Sequence, residues 1–146
     1  MYIKKKLILA EGGINMGQVV KCSIIICDDF NAVLIANRGK GKKNIQKLWS
    51  IFGRDIKGKE TMEQCINKAV DKDLKCTVFD TTPFKEYVFD EDTGEVSQVY
   101  TGKVKEYLTP HKDIKEIRWI TERELDKYEF LGGEKKVLLE YFKSRK

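Results

Sequence analysis

The run from Trp49 to Cys76, WSIFGRDIKGKETMEQCINKAVDKDLKC, constrains the fold more than any other part of the chain. It reads as a strand end, a glycine-bearing loop, a short helix and an exit turn. From Thr61 the apolar period becomes helical. Met62, Cys65, Ile66, Ala69, Val70 and Asp73 fall three and four residues apart on one face, and all but Asp73 are apolar or small. Thr61 is a fair N-cap, and Gln64 three residues on makes a partial capping box.

The rest of the chain supplies mostly strands. Lys5 to Glu11 reads as a first strand, and Val19 to Cys27, apolar and β-branched, as a buried one. Asp28-Asp29-Phe30-Asn31 is a turn, after which Ala32 to Ala36 is expected to pair back as the second arm of a hairpin. Arg38 to Lys47 is a basic, glycine-punctuated loop, and Trp49 to Phe52 is a short strand feeding the helix. Phe84 to Phe89 and Val96 to Tyr107 flank the hairpin turn Asp90 to Gly94. Ile114 to Ile120 is a further strand, Thr121 caps a short helix over Glu122 to Tyr128, and Glu134 to Ser144 is the last helix. With two prolines, no repeat and no low-complexity stretch, nothing marks a linker. The predicted class is α+β: one domain over residues 1–146, a mixed sheet with one central helix and a C-terminal helix pair.

Composition narrows the function classes. With 41% hydrophobic and 35% charged residues the chain is globular rather than disordered. The longest apolar run, Val19 to Cys27, is interrupted by Lys21 and too short to span a bilayer. Leu7 to Ala10 is too short an apolar run for a signal peptide. Cys22, Cys27, Cys65 and Cys76 show no C-x-x-C spacing, and His111 is the single histidine, so reduced, buried thiols in a cytoplasmic protein are expected. A net charge of +5 permits an anionic small-molecule ligand without requiring nucleic acid. The loop from Arg38 to Lys47 lacks the P-loop spacing and has no interleaved aromatics, so it reads as a solvated loop and a nucleic-acid partner is not expected. Tyr87, Phe89, Tyr100 and Tyr107 recur along the later hairpin, most of them as sheet packing, with stacking of one on a nucleobase as the alternative.

The segment from Gly53 to Cys76 resembles the Nudix box. That box runs glycine, five residues, Glu, seven residues, Arg-Glu, an aliphatic, any residue, Glu-Glu, any residue, glycine, aliphatic. Anchored on Glu60, the spacing holds to the last position, while the residue types depart from it. Arg54 stands for the first glycine, with Gly53 one residue early. Lys68 stands for the arginine, Ala69 for the first glutamate, Lys72 and Asp73 for the paired glutamates, and Lys75 for the closing glycine. Ile117 to Leu125 also resembles the strand and helix that commonly follow the catalytic part, so the likeness covers nearly the whole chain.

The resemblance implies a Nudix fold, a cytoplasmic hydrolase of nucleoside diphosphate-linked or other phosphorylated small molecules, Mg2+ or Mn2+ as cofactor, and dimers as an oligomeric option. The carried-over metal ligands are Asp73 and Glu60, and the same two residues with Glu116 are the catalytic candidates; Glu63 is an alternative base. Ala69, Lys72 and Asp73 lie on one helix face that sums to zero charge, a poor cage for a divalent cation. Two readings therefore stay open. In one, Asp73 and Glu60 hold a single metal and weak or atypical hydrolysis survives. In the other, Lys72 and Arg54 bind phosphate in place of metal and the protein is a ligand-binding or regulatory module. Each of these residues also has a structural role open to it: a solvated surface for Lys72 and Arg54, a salt bridge for Asp73, and the positive helix N-terminus for Glu60.

Overall fold

The computed structural model describes residues 5–10, 13–41, 46–105 and 107–146; residue 11 of the expected first strand and residues 42–45 of the basic loop lie outside the described residues. β1 (Lys5–Ala10) pairs antiparallel with the long strand β2 (Gly13–Ile26). Beyond the turn at Asp28, whose Oδ1 accepts from the Phe30 and Ala32 amides, comes β3 (Val33–Asn37). β4 (Trp49–Ser50) and β5 (Phe52–Asp55) follow, then α1 (Met62–Leu74), the hairpin β6 (Val78–Asp90) and β7 (Glu95–Val104), and β8 (Glu116–Ile120). A 3-10 helix (Glu122–Lys127) and α2 (Glu134–Ser144) complete the described elements.

Two sheets result. One runs β1-β2-β7-β6, with β5 antiparallel to the second half of β2 and β7 parallel to β2. The other is β4-β3-β8. Apart from the single bridge Cys27–Val33, β3 does not pair back on β2 as expected; it lies between β4 and β8. The expected strand Trp49 to Phe52 is likewise divided at Ile51, so β4 serves one sheet and β5 the other. Short apolar strands buried on both faces carry no sequence signal for which neighbour they choose.

Both faces of β3 and of β2 from Cys22 to Ile26 are covered, which explains why their isoleucines run without alternation. Cys22, Ile24, Ile26, Leu34, Ala36 and Phe52 pack with Cys65, Ile66, Val70 and Leu74 of α1. Ile25, Cys27, Val33, Ile35 and Ile51 pack on the other side with Leu125 and with Val137, Leu138, Tyr141 and Phe142 of α2. The sheets are thus a layer between helices, the arrangement the α+β expectation describes.

α1 starts with a complete capping box: Thr61 Oγ1 accepts from the Gln64 amide and Gln64 Oε1 from the Thr61 amide. It ends on Lys75, whose φ of 52° and ψ of 43° are left-handed, the conformation a closing glycine would adopt freely. No helix of the described residues is long and apolar enough to cross a membrane. The expectation of four reduced thiols is corrected. Cys22 of β2 and Cys65 of α1 form a disulfide across the first core cluster, and Cys27 and Cys76 are buried outside any disulfide. A sequence separation of 43 residues gave no spacing motif from which to read that pairing.

Candidate functional site

Gly53 determines where a cleft opens. A Cβ there would sit 2.4 Å from the Cys22 carbonyl oxygen and 2.9 Å from Ser23 Cα, so β5 can lie against β2 only with no side chain at this point. The next residues, Arg54 and Asp55, line a cleft of about 380 Å³ together with Lys21 of β2, Arg38 after β3, Lys57 of the loop before α1, and Ala69, Lys72 and Asp73 of α1. The helical spacing that the apolar stripe predicts is what presents Ala69, Lys72 and Asp73 to one side. Lys21 enters from the strand position opposite Asp55. The rim carries five cations and two carboxylates.

Those carboxylates are not equivalent. Asp55 is exposed. Asp73 has a side chain only 8% exposed, gripped by Arg38 through Nη2 to Oδ2 at 2.5 Å and a longer Nη1 to Oδ1 contact at 3.5 Å. The Asp73 backbone carbonyl also accepts from the His111 amide at 2.8 Å, which ties the end of α1 to the loop before β8. Lys72, on the same turn, is exposed and makes no ion pair among the described residues.

Glu60 does not line the cleft but braces its mouth. Its side chain is 6% exposed, with Oε1 accepting from the Lys57 amide at 2.9 Å and from Arg54 Nη2 at 3.2 Å, and Oε2 from Lys68 Nζ at 3.2 Å. The Lys57 amide above all, with Lys68 and Arg54 beside it, holds this carboxyl below the usual range against the effect of burial. Glu60 thus fixes Arg54 at the cleft wall. The remaining candidates stand apart: Glu116 on β8 pairs with Arg118, and Glu63 is exposed on the first turn of α1. Neither lines the cleft.

Mg2+ or Mn2+ would need several oxygen donors free to converge. Here Ala69 brings none, Asp73 is neutralised by Arg38, and Glu60 is occupied by two cations and an amide. Among the described residues no group of three or more His, Cys, Asp or Glu side chains is placed to hold a metal. The donors present do not fit a divalent cation in this arrangement. They fit an anion, because Lys21, Lys57 and Lys72 have no carboxylate at ion-pair distance among the described residues.

Sequence reasoning brought Arg54, Lys72 and Asp73 to this place but not Lys21 or Lys57, and it left Arg38 among the solvated residues of a loop. One signal was present for Lys21, a charge inside the longest apolar run of the chain. A charged residue in such a strand stands where one face meets a cavity or the sheet edge.

No family model and no curated protein sequence matches the chain. Solved structures do. The MutT Nudix hydrolase from Burkholderia pseudomallei superposes with a TM-score of 0.68 at 18% identity, over 84% of this chain and 95% of its own. A Nudix hydrolase from Nitrosomonas europaea gives 0.68 at 16% identity over 97% and 86%. The Nudix domain of Shewanella oneidensis NrtR, in complex with ADP ribose, gives 0.70 at 12% identity over 88% of each chain.

Proposed function

This chain has the Nudix fold, and on that premise we propose that its cleft takes a diphosphate-linked or otherwise phosphorylated small molecule with side-chain cations in place of metal. Five cations around one cleft against two carboxylates, with Lys21, Lys57 and Lys72 in no ion pair among the described residues, is the observation that carries this reading. Arg54, held in place by Glu60, offers a planar fork for two phosphate oxygens, and Lys21, Lys57 and Lys72 supply compact charge. A nucleoside diphosphate joined to a second group, such as the ADP ribose held by the NrtR domain, is the ligand class this arrangement suits.

Hydrolysis is the second reading, and Asp73 favours it because it lines the cleft. As a Nudix-type pyrophosphohydrolase the protein would be slow or atypical in metal use, since Asp73 would have to leave Arg38 before serving a metal or a water. Glu60 has no free oxygen for the role, and Glu116 would have to come from outside the cleft. Losing members of a cooperative catalytic group removes several orders of magnitude of rate. A cytoplasmic location belongs to the same proposal; there the Cys22–Cys65 bridge would be kept from thiol exchange by burial, both residues being 0% exposed.

A panel of nucleoside diphosphate derivatives separates the readings. For a binding module, panel members raise the melting temperature without turnover, since a ligand that binds only the native state stabilises it. Rapid, Mg2+- or Mn2+-dependent phosphate release that is abolished in Asp73→Asn would instead establish the hydrolase.

A further inference from the structure

Of the cleft cations with no carboxylate at ion-pair distance among the described residues, Lys57 and Lys72 are exposed and Lys21 is half-buried. What meets the Lys21 ammonium is a ring: Nζ lies 5.5 Å from the centroid of Phe89 on β6. The two residues are brought together across β7. β2 runs parallel to β7 with Val19 opposite Val96 and Lys21 opposite Ser97, so Val20 is an extra residue in β2. Its carbonyl accepts from the Ile56 amide at 2.9 Å instead, just beyond β5. β6 runs antiparallel to the same stretch of β7 with Val88 opposite Val96 and Asp90 opposite Glu95, so Phe89 is an extra residue in β6. Such bulges bend a strand and re-aim the side chains beside them. Between the two strands stands Ser97, whose hydroxyl oxygen is 2.8 Å from that of Ser23. Ser97 therefore points to the same side as Ser23 and Lys21, and its short side chain leaves the Lys21 stem a way across to the ring.

Resting on the phosphate reading of the cleft, we propose that Phe89 is a positioning residue for the anion: its ring holds the Lys21 ammonium at the cleft wall without cancelling the charge. A carboxylate in its place would hold Lys21 and neutralise it, as Asp73 and Arg38 neutralise one another. The face of an aromatic ring attracts a cation through its quadrupole and carries no net charge. The ammonium therefore keeps its full charge and its N–H donors for a ligand oxygen. A free lysine stem has many rotamers to give up when an anion binds, and one already lodged against a ring has fewer. Phe89 on this account is neither plain sheet packing nor a platform for a base; it acts on the ligand through Lys21.

Calorimetric titration of ADP-ribose in chelator reads the effect. Phe89→Leu keeps an apolar side chain and removes the ring face, so affinity should fall about fivefold. Phe89→Tyr keeps the face and should bind as the wild type does. In a Lys21→Met background Phe89→Leu should change nothing further, because the charge that the ring holds is gone. Undiminished affinity in Phe89→Leu, a Phe89→Tyr as weak as Phe89→Leu, or an equal loss in the Lys21→Met background, as base stacking would give, overturns the proposal. A ligand-free measurement stands beside it. The Lys21 ε-methylene protons should lie upfield in the ring current of Phe89 and return to the ordinary lysine position in Phe89→Leu; protons that do not move also overturn it. If they move while ADP-ribose binds neither protein, the hold of the ring on Lys21 stands and the phosphate reading of the cleft fails.

Discussion

Replacing Arg38 by alanine removes the cation that holds Asp73. The structure sets the cost between two limits. A charge-assisted hydrogen bond contributes roughly 1.5–3 kcal/mol, and stripping one partner from a fully buried pair costs roughly 3–5 kcal/mol. Asp73 is almost buried, but the Arg38 side chain is 35% exposed and only its shorter contact has good geometry, so water can replace much of what is lost. We expect about 2 kcal/mol of destabilisation, which is on the order of a 1 M fall in the urea midpoint with unchanged slope. Asp73→Asn in the Arg38→Ala background should then cost much less than in the wild type, with a coupling energy of roughly 1–2 kcal/mol in the double-mutant cycle. An Arg38→Ala protein within about 0.5 kcal/mol of wild type, with additive single effects, would refute the ion pair as a stabilising contact.

Lys75→Gly should stabilise the protein by about 1 kcal/mol in urea melts, because Lys75 closes α1 in a left-handed conformation that costs a side chain and not a glycine; a loss of stability would contradict it. Lys72→Ala or Arg54→Ala should weaken ADP-ribose about tenfold or more, and by less at high salt where the attraction is screened; unaltered affinity in both would return these side chains to the solvated surface. Replacing Cys22 and Cys65 together by alanine should cost roughly 4 kcal/mol by loop-closure entropy over the 43-residue separation, and the wild type should fall similarly in reductant. A wild type that, unfolded in urea with reductant, gains no two hydrogens by mass spectrometry would remove the bridge.

The helix of the box was legible because its signals are local. A period, an N-cap and a glycine-bearing loop all lie within one stretch, and α1 begins right after Thr61. α2 was legible for the same reason and spans Glu134–Ser144 as read. The partner of β3 was not, since Val33 to Ala36 are buried on both faces and would suit either sheet. The site divides along the same line. Ala69, Lys72 and Asp73 follow from helical spacing, whereas Arg38 meets Asp73 across 35 residues. Such pairs exist only once the layers are stacked. Lys21 was visible as an interruption, and an interruption does not say what it faces. The Cys22–Cys65 pairing was illegible because each cysteine reads equally well as an apolar member of its own strand or helix.

On the proposed reading this cleft holds phosphate with side-chain charge and without metal. Calorimetric titration of ADP-ribose into the protein, once with chelator and once with saturating Mg2+, tests it most directly. Binding in chelator is expected, with an affinity that Mg2+ leaves unchanged or lowers by masking the diphosphate. Binding seen only when Mg2+ is present would contradict it and return Asp73 and Glu60 to the metal.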